Sequence, residues 1–88
     1  MGKWTKLRAR LLSGAADRNV RFAELIGYLQ HLDFDVRTEG SHRVCSRADI
    51  VDKIVLQPLG DGSAKPYQVK QVRRLVQQYG LGADDDEV

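Results

Sequence analysis

Apolar residues recur at helical spacing from Phe22 onward. Phe22, Leu25, Ile26, Leu29 and Leu32 stand at i, i+3, i+4, i+7 and i+10, so they share one face of a helix. Asn19 is placed to cap its start, without a full capping box. Gly27 weakens the helix interior by about 1 kcal/mol relative to alanine, a cost that burial of the apolar face can offset. His31 falls opposite the stripe, as a solvent-facing residue. The period then changes to two. Phe34, Val36 and Thr38 alternate with Asp35, Arg37 and Glu39, the pattern of a half-buried strand. Gly40 and Ser41 supply a turn, in which glycine takes a positive φ without strain. Residues 42–47 form a second strand, although the adjacent Val44 and Cys45 leave the face of His42 undecided. Residues 48–52 read as a second reversal, and residues 53–57 as a third strand stopped by Pro58.

Residues 59–65 are a Gly/Asp/Ser loop, after which Pro66 suits the first turn of a helix, where its missing N–H costs nothing. Val69, Val72, Leu75, Val76 and Tyr79 make its apolar stripe, and Gly80 is placed as the left-handed residue that ends it. Lys70, Arg73 and Arg74 face outward. Upstream, residues 3–12 form a short basic helix, with Trp4 and Leu11 packing onto the domain and Lys6, Arg8 and Arg10 pointing away. Residues 13–19 are small and polar and read as a linker. The expected organisation is an N-terminal helical arm and linker (1–20), one α-β-β-β-α domain (21–82) and an acidic disordered tail (83–88). The fold class is α+β: a three-stranded antiparallel meander with two helices on one face and the other face left open.

Composition narrows the class of function. Eighty-eight residues allow one core, and no apolar run nears the roughly 20 residues needed to span a bilayer. The N-terminal residues lack the pattern of a secretory signal or of myristoylation. Cys45 is the only cysteine, so no internal disulfide forms; that suits a reducing cytoplasm, and a lone strand cysteine reads as a small buried hydrophobe. With His31 and His42 eleven positions apart and no further clustering of Cys and His, no metal site and no cofactor are expected. The net charge of +2 conceals an asymmetry. Setting aside Asp84, Asp85, Asp86 and Glu87 leaves 14 basic against 8 acidic residues, a net of +6 on the body. Such a surface suits a polyanion such as nucleic acid, or simply a solvated exterior.

His42 is the residue with chemistry. An imidazole at an exposed turn suits proton transfer near neutral pH, and it equally suits a polar turn residue with no chemistry. Three stretches in order, Gly40-Ser41-His42, then Leu56-Gln57-Pro58 with Ala64-Lys65-Pro66-Tyr67-Gln68-Val69, and finally Tyr79-Gly80-Leu81, resemble the HicA-type toxins of bacterial HicA/HicB toxin–antitoxin systems over residues 21–81. The resemblance implies a fold like a double-stranded-RNA-binding domain. It also implies mRNA cleavage without a metal that depends on His42, and a HicB-like antitoxin protein that blocks the site. Two departures stand out: Cys45 occupies a position where the family commonly carries a large apolar residue, and the arm and tail extend beyond the minimal domain.

Metal-independent RNA cleavage uses the neighbouring 2′-OH as nucleophile and needs a base, an acid and cations for the developing phosphorane. His42 supplies one proton-transfer group, and Lys65, Arg43 or Tyr67 are the available partners. Ser41, Arg43, Lys65, Lys70, Arg73 and Arg74 are the candidate RNA contacts. Ser41 and His42 have no third member for a serine triad. Two other readings remain open: an RNA-binding module of the same fold without catalysis, and a protein-binding domain that uses its sheet face or edge.

Overall fold

The apolar stripe beginning at Phe22 is helical, and its limits are set by backbone hydrogen bonds at both ends. In the computed structural model, which describes residues 2–14 and 19–83, the elements run α1 (Lys3–Ser13), α2 (Phe22–His31), β1 (Asp35–Glu39), β2 (His42–Arg47), β3 (Ile50–Leu56) and α3 (Pro66–Tyr79). Residues 15–18 of the expected linker and residues 84–88 of the acidic tail lie outside the described residues. The residue that caps α2 is Arg21, not Asn19: the Arg21 N–H donates to Glu24 Oε1 at 3.2 Å, and the Phe22 N–H donates to Gly62 O at 3.0 Å. Asn19 instead offers its carbonyl to Arg10 Nη2 at 3.1 Å. At the other end Asp33 takes a φ of 70°, and the Phe34 N–H reaches back to Leu29 O, turning the chain straight into β1.

The sheet is an open antiparallel meander in the order β1-β2-β3. Glu39 pairs with His42 across Gly40-Ser41, where Gly40 has a φ of 62°, the positive value that a two-residue hairpin requires at its first position. Val36, Cys45 and Ile54 form one cross-strand row turned towards the helices. Arg37, Val44 and Val55 form the adjacent row on the uncovered face, the same face as Glu39 and His42. The third strand begins earlier than the sequence pattern suggests. Arg47 pairs with Ile50 and Cys45 with Ile54, so residues 51–53 bulge opposite Ser46, which breaks the alternation. Ile50 is buried beneath this bulge while Val51 beside it is 92% exposed.

α2 and α3 cover one sheet face, and Phe22, Leu25, Leu29, Leu32, Val69, Val72, Leu75 and Val76 are all buried. α1 is more than an arm. Leu7 and Leu11 enter the same core, and Tyr28 of α2, outside the expected stripe, is fully buried with its ring tilted against Trp4. Gly27 now has a reason: a Cβ there would come within 3.1 Å of the Trp4 ring, so the glycine lets α1 lie close on α2. Arg8 and Arg10, expected to point away, are half-buried. Arg8 Nε donates to Leu81 O at 2.9 Å, and Arg10 meets Glu24 Oε2 at 3.4 Å, because long side chains at a helix–helix seam reach the polar groups at its rim. Tyr79 also departs from the expected stripe: it is 37% exposed and hydrogen-bonds Asp52. No helix among the described residues is long and apolar enough to cross a membrane.

Candidate functional site

The topology sorts the two histidines to opposite ends of the molecule. α2 runs directly into β1, so His31 lies at the end where β1 begins, whereas His42 lies where β1 ends and β2 begins. His31 stacks on Trp4 with ring centroids 5.3 Å apart. It is an α1–α2 contact and shares no site with His42.

The His42 end gathers residues from three parts of the chain. Antiparallel pairing brings the end of β3, Leu56, beside Arg43, and so places Gln57 next to the Gly40-Ser41 turn. The loop after Pro58 folds back through bridges from Arg21 to Ser63 and from Pro58 to Ala64, which delivers Lys65 and the first turn of α3 to the same place. Within that loop Asp61 Oδ1 accepts from the Ser63 N–H and hydroxyl, and these bonds hold the Asp61 carboxyl below its ordinary range.

A chain of hydrogen bonds then joins the turn to the helix. Gln57 Nε2 donates to Ser41 Oγ at 3.3 Å, and Lys65 Nζ donates to Gln57 Oε1 at 3.3 Å. Behind them sits Gln68, 4% exposed, in the first turn of α3. Its Oε1 accepts from the Gln57 N–H at 3.1 Å, and its Nε2 donates to Val55 O at 3.4 Å and lies 3.5 Å from the Tyr67 hydroxyl. The Gln68 amide therefore pairs with the outer edge of β3 as an added strand would, which satisfies a buried polar group and pins α3 to the sheet. His42 itself is exposed, and among the described residues no hydrogen bond ties its imidazole. Glu39, directly across the turn on the same face, is held by Arg37 through an Nε–Oε2 hydrogen bond of 2.8 Å.

Of the residues singled out in the sequence, the structure brings Ser41, His42 and Lys65 to one end, with Tyr67 beside them, 60% exposed. Arg43 shares the helix-bearing face with Cys45, its guanidinium 3.5 Å from His42 O. Lys70 and Arg74 are exposed along α3, as expected. Arg74 lines an open groove with Asp52, Lys53, Gln71 and Gln78, nine residues and about 14 Å of helix beyond Lys65. Arg73 does not face outward: its Nη1 donates to Leu11 O at 3.3 Å and closes the C-terminal end of α1. Gln57 and Gln68 fall within the stretches that carry the resemblance, yet the sequence assigns them no role, since an amide at a strand end or inside an amphipathic helix shows no chemistry locally. The Glu39–His42 pairing was available, because a two-residue Gly-Ser turn dictates it.

Cys45 lies under the site in the core, fully buried, and burial pushes its thiol up to about 11. It stays protonated at neutral pH and is no nucleophile. Among the described residues, no cluster of three or more His, Cys, Asp or Glu side chains could hold a metal ion. The arrangement offers one unencumbered imidazole, one ammonium, one hydroxyl and a neighbouring carboxylate, a set able to move protons and bind an anion. No protein-family model, curated protein or solved structure matches this chain.

Proposed function

We propose that this chain is a metal-independent endoribonuclease of the HicA toxin type, with His42 as its catalytic residue and a fold of the double-stranded-RNA-binding kind. The observation that carries the reading is the Ser41–Gln57–Lys65 hydrogen-bond chain. It sets an ammonium and a hydroxyl beside the turn that bears an exposed imidazole. An RNA strand across this end meets cations for its phosphates and a group for proton transfer. His42 takes the proton of a 2′-OH, and the oxygen attacks the adjacent phosphorus. The P–O5′ bond breaks, leaving a 2′,3′-cyclic phosphate, and the departing 5′ oxygen takes up one proton to become a 5′-OH, while the proton held by His42 is released, so that the protons balance. A single well-placed acid–base group contributes about 10²–10⁴ in rate, so a slow nuclease is expected. A HicB-like antitoxin covering this end accounts for its exposure in the isolated chain.

The free His42 imidazole also favours a second reading, RNA binding without cleavage, because no second proton-transfer group is bonded to it. Incubation of the purified protein with RNA in EDTA separates the two. Cleavage products are expected from the wild type and none from His42→Ala, with binding retained. Undiminished cleavage by His42→Ala would remove His42 from the chemistry.

A further inference from the structure

The geometry points to a phosphate-binding subsite at the turn end of the sheet, made by the Ser41 hydroxyl and the Lys65 ammonium and organised by Gln57. The inference rests on the RNA reading above and adds the group that makes the subsite work. Gln57 is a neutral amide with an acceptor at one end and donors at the other. Its Oε1 accepts one of the three N–H bonds of Lys65, which holds the ammonium in place without neutralising it and leaves two donors for a ligand. Its Nε2 donates to Ser41 Oγ, which occupies a lone pair of that oxygen and turns the Ser41 O–H outward as a third donor. The amide is itself clamped: the Gln57 N–H is bonded to Gln68 Oε1, and Gln68 is buried and tied to Val55 O. A buried side chain thus fixes the backbone from which the organising amide projects.

The ligand this set of donors fits is a singly charged phosphodiester of an RNA strand. Ser41 and His42 lie at the same end of the sheet, so the phosphate bound there belongs to the stretch of strand that crosses this end. Phosphate contacts of this kind fix register along the strand and carry no sequence information. Gln57 is a positioning residue, not a catalytic one.

A carboxylate at position 57 would have nearly the same shape and the opposite effect. It would neutralise Lys65 and would draw the Ser41 proton inward, removing both kinds of donor while the fold stays as it is. The test uses a 2′-O-methyl RNA oligonucleotide, which binds but has no nucleophile, titrated at several salt concentrations against the wild type, Gln57→Glu, Lys65→Met and Gln30→Glu. Gln30 is an exposed residue near the opposite end of α2, so its variant controls for net charge. Each single-strand phosphate contact contributes about 0.7 to the slope of log affinity against log salt. Gln57→Glu and Lys65→Met are expected to lower the slope by that amount, with thermal midpoints equal to wild type, and Gln30→Glu to leave the slope unchanged. Equal slopes for Gln57→Glu and Gln30→Glu, with a steep wild-type slope, would overturn the subsite while the RNA reading stands. A flat wild-type slope would overturn both. Loss of cleavage in His42→Ala without change of slope confirms that binding and chemistry are separate functions of this end.

Discussion

Cys45 shows how much one buried side chain can record. It stands between Val36 and Ile54 in the helix-facing row of the sheet, with no exposed surface, and its thiol is pushed up to about 11. The folded state therefore holds this proton more tightly than the unfolded chain, whose thiol ionises near pH 8.5. The contribution to stability is complete below that value and is lost as pH rises through the folded pKa. Urea denaturation of the wild type should show stability falling more steeply between about pH 9 and 11 than it does in Cys45→Ala. Alkylation by iodoacetamide at pH 7.5 should proceed only in the unfolded protein. Parallel alkaline limbs in the two proteins would contradict this account.

At the scale of elements, α1 and α3 hold each other by reciprocal bonds to helix ends. Arg8 of α1 donates to Leu81 O just past the end of α3, and Arg73 of α3 donates to Leu11 O in the last turn of α1. A guanidinium at a helix C-terminus meets the negative end of the helix dipole, and Leu11 O, which already accepts from the Gly14 N–H, has a second lone pair for Arg73. Between these bonds Leu7 and Leu11 fill the space over α2 and α3. Leu11→Ala is therefore expected to cost about 2–5 kcal/mol, the range for a fully buried leucine, read as a lowered urea midpoint. A change below 1 kcal/mol would mean that α1 docks loosely. The basic character of Arg73 was legible in the sequence but its use was not, since its partner Leu11 is 62 residues away.

For the whole molecule, the arrangement that matters is polarity from end to end. The meander and the direct α2–β1 connection put His42, Ser41, Gln57 and Lys65 at one end and the Trp4–His31 stack at the other. His31→Gln should lower thermal stability modestly through loss of the Trp4 stack while leaving the rate and pH profile of the proposed RNA cleavage unchanged. A change in that profile would show that the two ends communicate.

Among the described residues, local pattern alone determined the three helices, the three strands in order, the Gly40 turn and the Pro66 start and Gly80 end of the last helix. Each rests on interactions within a few residues: side-chain periodicity, a φ value or a missing N–H. Only the tertiary structure decided the rest. The bulge of residues 51–53 moved the start of β3, because burial of Ile50 outweighs alternation. The packing of Trp4 on Gly27 made α1 part of the core and buried Tyr28. Bonds spanning 16 and 8 residues placed Gln57 between Ser41 and Lys65. A hydrogen bond across such separations depends on where the sheet and the loop return the chain. Sequence therefore offered His42 as a candidate, and the fold decided which residues share its end of the sheet.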